Sequence, residues 1–326
     1  MPNTNTDQIR QLENQVHLAG YLAELSEMRT GTTTNGVPYM SFSGAIQCGE
    51  DAVYTVPFRT FVKSKKSDGS DSKNFAKVQD WYAQAVPKTK DPENPTMVSC
   101  FGSITDNPYV NSQGKLVEAT QFNIQSFNPF KDFQCDIDLE GFLLGVSDET
   151  RGEEQTPTGR GRLRLMSRDI FSSILEIKNI VVPADIYEAL EDSGYERGIT
   201  ATFYISLMPN TPTTQKRTCG IGKPRETQGR SYLEWVMTGA SEIIDSDSDE
   251  AIPSALAKKA MNVRASNLKE VEEKGYQGSN TSTATTAANR GGLGGAKKMA
   301  EVQDKKKPAK KDDFVELAPD EDDFPY

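Results

Sequence analysis

The sequence predicts a mainly β protein, with two tandem five-stranded barrels followed by a disordered C-terminal tail. Three observations predict it. Short runs of alternating apolar residues, bounded by Gly, Pro and Asn clusters, fill residues 14–244. Each half of that region carries one helical stretch after its third run. Beyond Ile244 the apolar pattern fades, and from about residue 275 the chain is too polar to offset the entropy of ordering.

Residues 1–13 are polar and predict a floppy or weakly helical arm. Val16 to Leu22 alternates as a strand, with Gly20 where it must bend. Thr30 to Gly36 is a Gly/Thr/Asn cluster and predicts a turn. Val37 to Cys48 is a second strand and Val53 to Val62 a third, with Pro57 marking an edge or a bulge. Phe75, Val78, Trp81, Tyr82 and Ala85 recur at spacings of three and four, so Ser72 to Val86 is a helix that Pro87 ends. Met97 to Thr105 and Lys115 to Phe127 complete five strands.

The second half repeats the order. Asp136 to Val146 is a strand, and a long loop from Ser147 to Gly161 follows it. Arg162 to Ser167 and Ser173 to Val182 are the next strands, before a short helix from Pro183 to Leu190. Ile199 to Leu207, a Lys/Arg/Gly/Pro loop from Met208 to Gly229, and Ser231 to Ile244 finish the unit. Three strands, a helix and two strands is the order of an OB-fold, so residues 14–128 and 129–244 are expected to be two OB-fold-like domains. An acidic patch and a helix are expected over 245–274, with Leu256, Ala260, Val263 and Leu268 on one side. Residues 275–326 are expected to be a disordered linker and an acidic tip.

The composition bounds the function. No apolar run approaches the length of a membrane span and no secretory segment opens the chain, so a cytoplasmic protein without membrane contact is expected. Cys48, Cys100, Cys135 and Cys219 are far apart, which fits free buried thiols. No Cys/His spacing suits zinc, and His17 is the only histidine. Gly220-Ile221-Gly222-Lys223 lacks the spacing of a phosphate loop. Catalysis, a metal and a cofactor are therefore not expected. The net charge is −10, with acid in excess on both sides of residue 244, so any nucleic-acid surface must be a local stripe.

An OB barrel binds single strands on the face of its second and third strands and between the flanking loops. Such a groove needs cations on its walls and flat rings on its floor. In the first unit the candidates are Tyr39, Phe42, Tyr54, Phe58, Arg59, Phe61 and Lys63. Alternation puts Tyr54 and Phe58 on one face and Arg59, Phe61 and Lys63 on the other; one face lines the groove and the other fills the barrel. In the second unit Arg160, Arg162, Arg164 and Arg168 crowd the second strand, and the first three share parity. The burial cost of charge keeps their face open. Lys216, Arg217, Lys223, Arg225 and Arg230 populate the opposite wall, with Tyr232 placed to stack nearby.

The chain ends in Asp322-Asp323-Phe324-Pro325-Tyr326. Two rings at the end of a long polar tether suit a pocket on another protein. This tip, with its tether and the β-rich units before it, resembles that of the bacterial single-stranded DNA-binding protein family. That family ends in aspartates, an apolar residue, a proline and a terminal phenylalanine; Tyr326 stands in the last place here. The resemblance implies a sequence-independent single-stranded DNA-binding protein, not an enzyme, that coats exposed strands in replication, recombination or repair. It also implies that residues 322–326 recruit partner enzymes. Two barrels per chain fit a monomer or homodimer, and the tandem layout fits a bacteriophage protein. A protein-interaction adaptor and an RNA-binding protein on the same barrels are the alternatives that the residues leave open.

Overall fold

The structure is a computed structural model that describes residues 9–50, 54–66, 68–151, 155–210, 215–217, 225–227 and 232–276. The expected tip, Asp322 to Tyr326, and its linker from residue 277 lie outside the described residues, as do Lys223 and Arg230. In chain order the first half holds β1 (Asn14–Leu25), the short β2 (Arg29–Thr32), β3 (Pro38–Gln47), β4 (Val56–Lys63), α1 (Lys73–Gln84), β5 (Met97–Asp106), β6 (Tyr109–Val110), β7 (Leu116–Val117) and β8 (Thr120–Pro129). The second holds β9 (Gln134–Arg151), β10 (Thr156–Arg168), β11 (Ile174–Val182), α2 (Ala184–Asp192), β12 (Thr200–Asn210), β13 (Gln215–Arg217), β14 (Arg225–Thr227) and β15 (Tyr232–Ala240). Helix α3 (Ser254–Lys274) follows.

Pairing closes each half into a ring of five strands. In the first, β1 pairs with β3, β3 with β4, β4 with β8, β8 with β5 and β5 with β1. In the second the ring is β9, β10, β11, β15, β12 and back to β9. One pair in each ring is parallel, at Arg59↔Asn123 and at Val181↔Val236. Two OB-fold-like barrels result, each with its helix between the third and fourth ring strands. β1 needs a glycine at position 20: a Cβ there would stand 1.9 Å from the Gln47 carbonyl oxygen.

The barrels are joined by their first strands. β1 runs antiparallel to β9 from Asn14↔Leu139 to Ala19↔Gln134. The inward residues of both rings, among them Leu18, Ile46, Phe58, Leu139, Leu163 and Phe203, belong to one continuous core. α1 caps the first ring with rings of its own, and Trp81 stacks on Phe127 at 3.8 Å.

Several expectations need correction. The long loop from Ser147 to Gly161 is instead two strand extensions, because β9 continues to Arg151 and β10 begins at Thr156. Polar side chains there alternate with partners across the hairpin, so apolar alternation could not mark it. The turn after Thr30 is preceded by β2, and the loop after Met208 holds the β13–β14 hairpin. The arm is not floppy from residue 9 onward. Ile9 and Leu12 are buried beside Phe142, Met166, Ile252 and Ala260, and Arg10 pairs with Glu140. On α3 the buried stripe is Ala257, Ala260 and Arg264, not Leu256, Val263 and Leu268. Small residues let that helix sit close, and Arg264 reaches Asp106 at 3.2 Å and Glu118 at 3.1 Å in the first half. Burial outweighs Arg264 and lifts the Asp106 carboxyl to about 6.

Leu18 is fully buried on β1, the strand through which the first ring pairs with the second. Leu18→Ala is expected to cost ~2–5 kcal/mol, with both barrels unfolding together in one urea transition. Two separated transitions by Trp fluorescence and far-UV circular dichroism would show that the β1–β9 pairing does not couple them.

Candidate functional site

The outer face of β2, β3 and β4 carries the candidate site. Pairing sets its layout. Arg29, Ser41 and Phe61 form one row across three strands, Gly31, Tyr39 and Lys63 the next, and Ser43 and Arg59 lie alongside. Cross-strand partners share a face of a pleated sheet. The opposite faces of β3 and β4 put Met40, Phe42, Phe58 and Val62 into the core. The Tyr39 and Phe61 rings meet with centroids 5.0 Å apart. Gly31 lets Tyr39 lie across β2, since a Cβ there would be 2.9 Å from the tyrosine oxygen.

Three cations edge this ring pair. Arg29 and Lys63 are exposed and Arg59 is half-buried. None of the three forms an ion pair with a described residue. Burial first, and the neighbouring Arg29 second, pull the Arg59 guanidinium below its ordinary value, while Tyr39 acts the other way. Guanidiniums that repel each other without a carboxylate form a place where an anion lowers the energy.

Alternation places Arg59, Phe61 and Lys63 on one face, and the structure has them there with Tyr39. Phe42 and Phe58 are corrections: both point into the barrel, 4% and 2% exposed, among Trp81, Tyr82 and Phe127. Tyr54 is another, because it packs against the core and burial raises its phenol. Arg29 was not foreseen. Its signal was the Arg-Thr-Gly-Thr run, which overlaps the start of the predicted turn and is too short to stand out as a strand.

The second barrel treats its arginines differently. Arg160 donates to both oxygens of Glu149, at 2.6 and 2.7 Å, and approaches Glu234 at 3.4 Å. Arg162 pairs with the same Glu149 and donates to the Asn179 carbonyl at 3.1 Å. Arg164 pairs with Glu176. All three carboxylates are nearly buried, 7–8% exposed. Arg160 above all holds the Glu149 carboxyl down at about 2. The face stays open, as the burial cost of charge requires, but it is close to neutral. Arg168 is a correction: only 8% exposed, it donates to the Ile9 carbonyl and ties down the arm. Lys216, Arg217 and Arg225 lie on the β13–β14 hairpin, where Arg217 is the register partner of Arg225. Tyr232 is exposed, and its hydroxyl donates to Glu234 at 3.3 Å and accepts from Asn210 at 3.2 Å.

Little else among the described residues suggests chemistry. His17 stacks on Phe101 at 4.1 Å, and burial lowers its imidazole. Cys48, Cys100 and Cys135 are buried free thiols; contact with Cys135 and burial raise Cys48, and burial raises Cys100. Among the described residues no group of three His, Cys, Asp or Glu could hold a metal, and no helix is long and apolar enough to cross a membrane.

Glu149 fixes a pH dependence. Its folded carboxyl sits at about 2, below the ordinary 4.5, so its contribution to stability is fully present above pH 4.5 and fades as pH falls toward 2. Glu149→Gln is expected to flatten the acid limb of the stability curve in that window, measured by urea unfolding at stepped pH. An unchanged limb would mean that the pair does not form.

None of the curated proteins matches the chain. Among solved structures it is similar to the wild-type single-stranded DNA-binding protein from Thermus aquaticus, at 14% identity over 73% of this chain and 97% of that one, with a TM-score of 0.41. It is also similar to the mitochondrial single-stranded DNA-binding protein Rim1 from S. cerevisiae, at 14% identity over 38% of this chain and 99% of that one, with a TM-score of 0.23. Similarity of that size adds no argument to the strand topology above. The family model described as YorF matches residues 13–274, and the chain belongs to the YorF family.

Proposed function

We propose that this protein binds single-stranded DNA without sequence preference, and that the strand lies on the outer face of β2, β3 and β4. One observation carries the reading: Arg29, Arg59 and Lys63 flank the Tyr39–Phe61 ring pair and form no ion pair with a described residue. Rings supply stacking that every base satisfies, and unpaired cations supply phosphate contacts. The face is also the one on which OB barrels hold single strands. The second barrel contributes less at its strand face, where glutamates already satisfy Arg160, Arg162 and Arg164. Its part is the β13–β14 hairpin with Lys216, Arg217 and Arg225, flanked in sequence by Lys223 and Arg230.

A role in coating strands during replication, recombination or repair follows from such binding. Recruitment of partner enzymes is assigned to Asp322, Asp323, Phe324, Pro325 and Tyr326, supported by the sequence of the tip alone.

Titration with oligo-dT at stepped salt tests the reading. Intrinsic fluorescence is expected to fall on binding, and Phe61→Ala to weaken it by ~1–3 kcal/mol. Arg29→Gln and Arg59→Gln should each reduce the log–log salt slope by about 0.7. Competition with oligo-U separates DNA from RNA preference. No salt-dependent binding by the intact chain would leave the adaptor reading in its place.

A further inference from the structure

A second surface crosses both barrels over the β1–β9 seam. Two neighbouring rows build it. Phe101 on β5, His17 on β1, Asp136 on β9 and Ser206 on β12 form one. Gln15, Asp138 and Tyr204 on β1, β9 and β12 form the next. They line a half-open groove of about 550 Å³. Phe101 and Tyr204 stand on either side of it, 40% and 39% exposed, which is high for rings of that size. Phe101 is backed by the His17 imidazole at 4.1 Å, and the His17 Nε2 is buried without a hydrogen-bond partner.

Between the rings lie two carboxylates and, among the described residues that line the groove, no Lys or Arg. Asp136 accepts from the Ser206 hydroxyl at 2.6 Å, and neither Asp136 nor Asp138 forms an ion pair with a described residue. Burial, then the charge of Asp136, raises the Asp138 carboxyl. Burial keeps His17 from supplying the missing positive charge. Such a groove repels phosphate, so the DNA reading does not account for it. It has what a flat cation needs: ring faces on which to stack and carboxylates to accept its N–H groups. A second copy laid symmetrically on this face would set aspartates against aspartates, which disfavours that occupant.

We infer that the groove between Phe101 and Tyr204 receives an arginine side chain of a partner protein. The guanidinium stacks against Tyr204 and donates to Asp136 and Asp138. This surface is separate from the face of Arg29, Arg59 and Lys63, so a partner can dock while that face is occupied.

The probe is a short peptide, acetyl-Gly-Arg-Gly-amide, titrated into the full ¹⁵N-labelled chain by NMR, beside the same peptide with neutral citrulline for arginine. The arginine peptide is expected to shift the amides of Gln15, His17 and Tyr204 saturably, and the citrulline peptide to leave them still. Asp136→Asn with Asp138→Asn should weaken the arginine peptide by about tenfold, the size of one lost charge-assisted contact, and leave oligo-dT affinity unchanged. Tyr204→Leu, which keeps the carboxylates, should weaken it as well. Equal shifts from both peptides, undiminished binding by the double variant, or shifts confined to other surfaces would overturn the inference. So would self-association through this face, detected by sedimentation and abolished by Tyr204→Arg.

Discussion

The antiparallel pairing of β1 with β9 is the constraint on which the rest depends. β1 pairs with β3 only from Tyr21 to Leu25 and β9 with β10 only from Phe142 onward, so their mutual pairing over Asn14–Ala19 covers the edge that each ring leaves open. It also merges two interiors that would each be small. One continuous core replaces two marginal ones, which suits barrels of little more than a hundred residues apiece. β1 is bonded to three strands, β3, β5 and β9. Its tolerance for change is correspondingly small, as the closeness of Gly20 to Gln47 shows.

Duplication of the barrel did not duplicate its chemistry. Both outer strand faces carry arginines, but in one the neighbouring strands supply Glu149, Glu234 and Glu176 at ion-pair distance. In the other the neighbours are serine, glycine and aromatic residues. Nearly buried carboxylates cost too much to leave unpaired, so the pairs in the second barrel hold its arginines in place. In the first barrel Arg29, Arg59 and Lys63 have no ion-pair partner among the described residues. Counting basic residues along the chain would rank the second barrel higher; the cross-strand partners reverse that order.

The fold was largely legible. The period-two runs, the helix after the third run in each half and the repeat of that order all correspond to observed elements. What was hidden was polar. β2, the hairpin ends of β9 and β10, and the β13–β14 ribbon are held by backbone pairing, with few apolar side chains to announce them. The site divides the same way. The parity of Arg59, Phe61 and Lys63 was readable from spacing alone. Whether Phe42, Phe58 and Tyr54 lined the groove or the core depended on which face closed around α1, a tertiary fact. The neutralisation of Arg160 by Glu234, 74 residues away in sequence, could not be read locally.

Arg264 gives the last helix a part in completing the first barrel's surroundings. Its guanidinium joins Asp106, made 158 residues earlier, and Glu118 just after β7. A ribosome that has released both barrels has therefore not yet produced the cation that faces Asp106, although Lys178 already stands 3.0 Å from Glu118. Until α3 emerges, Asp106 lacks Arg264 while Asp169, Glu118 and Glu176 bear on it. A gene fragment ending at residue 244 would encode a protein whose Asp106 never meets that guanidinium.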